Sequence, residues 1–145
     1  MQIRLAESDQ DVRRAFPVMR ELRTHLVGED EFLERVARQR REGYRLALLE
    51  EDGRVRAVAG FRIQECLSAG RHLYVDDLVT AADGRSRGHG RALFEWLVDQ
   101  GRAERCRWLR LDSAVHRFDA HRFYLRQRMT IRSHHFMLDL GEESG

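Results

Sequence analysis

Arg85-Ser86-Arg87-Gly88-His89-Gly90 is the stretch of this chain whose residue types and spacing best suit an anion. It follows an apolar run ending at Val79-Thr80 and precedes an amphipathic segment that starts at Arg91. Gly88 and Gly90 lack a Cβ and so let backbone N–H groups approach a phosphate closely. A helix opening there adds unpaired donors and the positive end of its dipole. Arg85, Arg87 and Arg91 are placed to add charge-assisted contacts. A six-residue turn of this kind also precedes helices that bind nothing, so its meaning has to come from the elements around it.

Other reactive side chains point less clearly to a site. His134 and His135 are adjacent, and in a strand they would face opposite ways, which is unsuited to sharing one ion. His116 and His121 flank a short helical segment where surface or capping roles are common, and an exposed position is expected for His89. Cys66 and Cys106 lack metal-site spacing and are too few for a disulfide framework, which fits a reducing interior. No metal is expected.

The elements that must position the turn can be read from periodicity. Ile3 to Ala6 alternates as a first strand. Ser8 and Asp11 form an approximate capping box ahead of Val12, Phe16, Met19, Leu22 and Leu26 at helical spacing, with Pro17 expected to kink or restart that helix. Asp30 is placed to cap a second helix that Gly43 ends. Tyr44–Glu50 and Val55–Gln64 read as strands joined through Asp52-Gly53, a hairpin signal. Cys66 to Arg71 reads as a loop and Leu73 to Thr80 as a strand. A helix over Ala92, Leu93, Trp96 and Leu97 stops at Gln100-Gly101, and Trp108 to Asp112 is the next strand. Two apolar strands around a crossover helix predict a parallel β-α-β unit. Asp119 is placed to cap a helix over Ala120–Arg126, and Thr130 to Leu140 forms the last strand or strands. The order predicts an α/β fold with helices on both faces of the sheet.

With 145 residues the chain is expected to be a single domain, residues 1–145. All 26 of its Lys+Arg residues are Arg, it has no Asn, and its formal charge is only +2. With acids interspersed and no basic block carrying aromatics, no nucleic-acid partner is expected. The amino terminus has no apolar h-region and no run reaches membrane-spanning length, so a cytoplasmic protein with no membrane partner is expected.

Two separated motifs, Arg85-x-x-Gly88-x-Gly90 and Ala120-His121-Arg122-Phe123-Tyr124, lie in this strand–helix–strand order, and together they resemble the GNAT superfamily of acyl-CoA-dependent N-acetyltransferases. The resemblance runs from Ile3 to Leu140. Within the superfamily, Val115 to Arg126 is similar to aminoalkylphosphonate N-acetyltransferases, and Tyr44 to Leu49 also resembles them. The resemblance implies a GNAT fold: a mixed central sheet with a splayed parallel strand pair and helices on both faces. It implies that Arg85, Ser86, Arg87, Gly88, His89, Gly90 and Arg91 hold the pyrophosphate of acetyl-CoA. Leu78, Val79 and Thr80 would pair with its pantetheine arm, and a backbone N–H near Val79 would polarise the thioester. Ser113 stands where many relatives carry Asn, and Arg128-Met129 where many carry Gly and an aromatic. A homodimer is a frequent state in the family.

Acetyl transfer to an amine requires a neutral amine, a donor for the developing oxyanion and a protonated leaving thiolate. A phenol, with a pKa of about 10, holds its proton at neutral pH better than a thiol at about 8.5, so Tyr124 is the candidate acid. Asp77 is the candidate for accepting the amine proton or orienting the ammonium. Asp76 is expected on the opposite face, Glu65 is a second possibility, and a structural carboxylate paired with arginine is the plain alternative. Arg62 and Arg71 are candidates for an acidic group on the substrate. No cysteine accompanies the motifs, so the expected reaction is direct attack by a small-molecule primary amine on acetyl-CoA in a ternary complex. The alternative is a non-catalytic acyl-CoA-binding sensor or regulatory module.

Overall fold

The computed structural model describes residues 1–85 and 87–143. Ser86, named above for the anion turn, lies outside the described residues. The chain divides into two compact units, Met1–Leu111 and Asp112–Gly145.

The first unit holds a five-stranded sheet in chain order: β1 Gln2–Leu5, β2 Arg45–Glu51, β3 Arg54–Cys66, β4 Gly70–Thr80 and β5 Trp108–Leu111. The first four strands pair antiparallel, and β4 with β5 is parallel. The parallel pair is joined by helix α3, His89–Ala103, as the apolar strands on either side of a crossover helix predict. Helices α1, Asp9–Leu22, and α2, Glu29–Arg40, connect β1 to β2.

Alternation along the strands builds two cores. Leu46, Leu48, Val58 and Val79 face α1 and α2, joining Val12, Phe16, Met19, Phe32 and Val36. Ala47, Leu49, Ala57, Ala59, Phe61, Leu73 and Val75 face the other way, onto Leu93 and Leu97 of α3. Helices therefore cover both faces of a mixed sheet, which is the predicted α/β class.

Several boundaries differ from the sequence expectations. Helix α1 runs unbroken through Pro17, capped by Ser8, whose Oγ accepts from Asp11 N at 3.1 Å. Gly28, in extended backbone, precedes α2, and Asp30 sits in the first helical turn where its charge suits the dipole. The β2–β3 turn has Asp52 and Gly53 at φ 54° and 74°, the positive pair a two-residue hairpin turn needs. The expected Cys66–Arg71 loop shrinks to three residues because β3 and β4 extend to pair Cys66 with Gly70. Helix α3 continues past Gly101 to Ala103, with Gly101 inside the helix and buried beside Leu73 and Cys106.

In the second unit, α4 spans Phe118–Arg126. Arg117 is at its N-cap, and Asp119 lies in the first turn, where it accepts from Arg122 at 2.7 Å. Arg128, standing where glycine was expected from the resemblance, takes a left-handed φ of 68°. The predicted strand or strands over Thr130–Leu140 are absent: among the described residues this stretch forms no helix or strand. A strand needs a ladder partner as well as an apolar pattern, and Ile131, Phe136, Met137, Leu138 and Leu140 are all exposed. Among the described residues no helix is long and apolar enough to cross a membrane.

Candidate functional site

The site is organised by a break in β4. Val75 pairs with Phe61 and Asp77 with Gly60, which leaves Asp76 as the extra residue of a β-bulge. Simple alternation would send Asp76 and Asp77 to opposite faces. The bulge turns both toward the α1–α2 side, where they line one cavity of about 260 Å³ with Met19, Arg23, Phe32 and Tyr44.

Asp77 is held from two directions. The Tyr44 hydroxyl donates to its Oδ2 at 2.7 Å, and Arg23 Nε donates to its Oδ1 at 2.8 Å. Arg23 also donates to the Asp76 backbone carbonyl at 2.7 Å, tying the end of α1 to the bulge. Burial, reinforced by the Asp77 charge, pushes the Tyr44 phenol well above its ordinary pKa, so it stays a donor. Gly60, across from Asp77, leaves the space this contact occupies: a Cβ there would overlap the Tyr44 ring and lie 2.5 Å from Asp77 Oδ2.

Asp76 is engaged on one oxygen, which accepts from Arg62 Nε at 3.0 Å. Arg62 reaches Gln39 Oε1 at 3.2 Å as well. Burial raises the Asp76 carboxyl above its usual range, against the opposing pull of Arg62. Arg62 and Arg71, the residues considered for a substrate acid, are thus occupied, Arg71 by Glu104 at 3.0 Å. Glu65 is exposed and is not among the residues lining this cavity.

Beyond the bulge, β4 is open on one side. Its pairing with β5 ends at Val75–Leu111, so among the described residues Asp76 to Thr80 carry no strand partner on that side while Leu78, Val79 and Thr80 remain paired to Ala59, Val58 and Ala57. The amides and carbonyls that this edge of β4 leaves outside the ladder suit an extended amide-bearing ligand.

The anion turn follows directly. Ala82–Gly84 forms a 3₁₀ turn, Arg85 is extended, and Gly88 stands at φ 83°, a left-handed conformation that glycine adopts without a Cβ penalty. The first helical bond of α3 runs from Ala92 N to Gly88 O, so the amides of His89, Gly90 and Arg91 precede the intrahelical ladder. Arg85 and Arg87 are exposed, and Arg91 donates to Glu95 at 2.9 Å. His89 is not exposed as expected: only 3% of it is accessible, and its Nε2 meets Glu51 Oε2 at 2.5 Å.

The remaining two predicted residues belong to the second unit. Ser113 has a buried Oγ without a hydrogen-bond partner among the described residues. Burial raises the Tyr124 phenol on α4, while Arg117 pulls it the other way. Both features fit a contact group and a proton donor.

Sequence reasoning missed Tyr44, Arg23 and Gly60. Tyr44 drew notice only within a strand and a resemblance, not as a partner of Asp77, because that partner is 33 residues away and the contact exists only through the β2–β3 and β3–β4 registers.

The chain and its fold are similar to known proteins. Residues 9–128 match the profile of the Acetyltransferase (GNAT) family. An uncharacterized N-acetyltransferase, YhdJ, of Bacillus subtilis (strain 168) is 37% identical over 131 residues, covering 89% of this chain and 92% of the relative. A ribosomal-protein-alanine N-acetyltransferase from Brucella melitensis biovar Abortus 2308 superposes with a TM-score of 0.83 at 18% identity, covering 97% of this chain and 100% of that one. A glucosamine-6-phosphate N-acetyltransferase from Arabidopsis thaliana gives 0.76 at 21%, with the same shares. At such identities these two structures speak for the fold alone.

Proposed function

We propose, from the premise that the chain belongs to the GNAT family of acetyltransferases, that it is an acetyl-CoA-dependent enzyme acetylating the primary amine of a small molecule. The observation that carries this reading is the β4 bulge, which directs two aspartates into one small cavity beside an unpaired strand edge that leads into the anion turn. A cavity of about 260 Å³ suits a compact amine better than a protein chain.

The residues present fit the donor. The amides of His89, Gly90 and Arg91 with Arg85 and Arg87 hold the pyrophosphate, with Gly88 completing the turn. Leu78, Val79 and Thr80 pair through their backbone with the pantetheine amides, and the orphan Ser113 Oγ takes one of their polar atoms. Acetyl-CoA, when bound, supplies the activated acetyl group. The N–H near Val79 polarises the carbonyl.

Asp77, fixed by Tyr44 and Arg23, orients the amine. Asp76, with one oxygen engaged by Arg62 and its carboxyl raised by burial, is better matched to take the amine proton. The neutral amine nitrogen then bonds to the acetyl carbon as the carbon–sulfur bond breaks, Tyr124 gives its phenolic proton to the leaving thiolate, and the phenolate takes back the surplus proton of the new amide nitrogen. A phenol raised by burial holds that proton until the sulfur needs it.

We assign the whole chain, residues 1–145, to one catalytic domain of aminoalkylphosphonate-acetyltransferase type. The two free cysteines support a reducing, cytoplasmic setting. The apolar residues exposed along Thr130–Leu140 support a second copy of the chain as partner.

The test is release of free CoA thiol from acetyl-CoA against a panel of aminoalkylphosphonates, polyamines, amino acids and peptide amino termini. Amine-dependent release with a small primary amine is expected. Acetyl-CoA binding without such release across the panel would instead establish a sensor or regulatory module.

A further inference from the structure

Two of the three buried polar side chains among the described residues, Arg56 and His89, flank the anion turn, and neither lines the amine cavity. Both are anchored to the hairpin formed by β2 and β3. At the far end of the turn, the His89 ring at the start of α3 meets Glu51, the last residue of β2, at 2.5 Å. At the near end, Arg56 of β3 reaches Asp83 at 3.2 Å, and its backbone carbonyl accepts from Ala81 N at 2.8 Å. Gly84 is required there for room, since a Cβ would run into the Arg56 guanidinium.

The His89 contact is the more telling one. Its Nδ1 is buried and has no hydrogen-bond partner among the described residues. Packing alone would be served better by leucine, which fills similar space without leaving a buried polar atom unsatisfied. What histidine adds is the bond from Nε2 to Glu51. That bond holds the Glu51 carboxyl below its usual range, with Arg87 of the turn contributing to the same effect. Glu51 is fixed in the hairpin by its pairing with Arg54 directly across the two-residue turn.

We infer that His89, braced by Glu51, is a positioning residue that sets the backbone amides of the turn for a pyrophosphate and thereby makes the protein prefer whole CoA over donors cut short at pantetheine. The inference rests on the acetyl-CoA reading above. Its chemistry is preorganisation: donors already aimed at an anion bind it without the cost of ordering a loop.

Dissociation constants for CoA, by titration calorimetry, and for pantetheine, by competition, test this without knowledge of the amine. The natural chain should prefer CoA by about a hundredfold or more, the sum of several charge-assisted contacts. His89→Leu should lose about tenfold of that preference, the worth of one hydrogen bond to a charged group. His89→Gln, whose amide can still donate to Glu51, should stay within about threefold of the natural ratio. Glu51→Ala, at a half-exposed side chain, repeats the test should the core variant fail to fold, and should also cost about tenfold. A folded His89→Leu or Glu51→Ala chain that keeps the full preference overturns the inference, as does a Gln variant as impaired as Leu. Absence of any CoA preference in the natural chain removes the acetyl-CoA reading of the turn, and the inference with it.

Discussion

Gly60→Ala is the substitution whose consequence can be worked most fully from the geometry. The added Cβ would overlap Tyr44 Oη and Cζ and stand 2.5 Å from Asp77 Oδ2. Ordinary contact lies near ~3.5 Å, so the Asp77 carboxylate must retreat by about 1 Å and the tyrosine further. Neither can do so freely. Tyr44 is 4% exposed within the α1–α2 core, and Asp77 is tied to Arg23 as well. Overpacking a core costs roughly 1–3 kcal/mol. Losing the Tyr44 bond to a carboxylate adds roughly 1.5–3 kcal/mol. The expected loss is therefore about 3–5 kcal/mol, a large part of the stability of a domain this size. Tyr44→Phe is the control, since it removes the hydrogen bond without the added methyl. In Gly60→Ala/Tyr44→Phe the nearest atom is gone, so the double change should cost about 1 kcal/mol less than the sum of the single ones. Urea unfolding with an unchanged m-value measures all three, and in amine kinetics each should raise the KM for the amine more than that for acetyl-CoA. A Gly60→Ala protein within about 0.5 kcal/mol of the natural one, the range of an inert surface change, would refute the packing argument.

Three further outcomes are expected. Tyr124→Phe should lower turnover by about 10²-fold or more while acetyl-CoA affinity stays close to natural, and an unchanged rate would remove the phenol from the acid role. Arg4 lowers the carboxyl pKa of Asp11, and Arg14, with a smaller share from Arg4, lowers that of Glu50. Groups depressed in the folded state add stability that is complete above their ordinary pKa values of 3.8 and 4.5 and fades as pH falls through the folded ones. Arg4→Met should therefore raise the midpoint of acid unfolding, and an unmoved midpoint would contradict the linkage. Gly101→Ala should stabilise α3 by about 0.5–1 kcal/mol, because its Cβ meets Leu73 and Cys106 only at 3.7–3.9 Å; a lower melting temperature would show that the site is tighter than this.

Local pattern was enough for whatever depends on neighbours in sequence. Strand alternation put apolar residues on both faces of the sheet, Asp52-Gly53 placed the hairpin turn, and the glycines after Arg85 marked a turn into a helix, with Gly88 left-handed. These features follow from side-chain period and from the backbone freedom of glycine, which act over a few residues. Asp76 shows the limit. Alternation sent it away from Asp77, and only the one-residue slip between β3 and β4 brings both into the same cavity. That slip is a property of the pair of strands, not of either sequence alone. The same holds for Tyr44 and Gly60, where a hydroxyl and a missing side chain make one contact through strand register, and for His89, which a reading of the loop left in solvent and the fold buries against Glu51. The tail from Thr130 to Leu140 errs the other way: it has the pattern of a strand, but no ladder forms there among the described residues, because hydrogen bonds between strands are made only where the tertiary fold or a partner supplies the second edge.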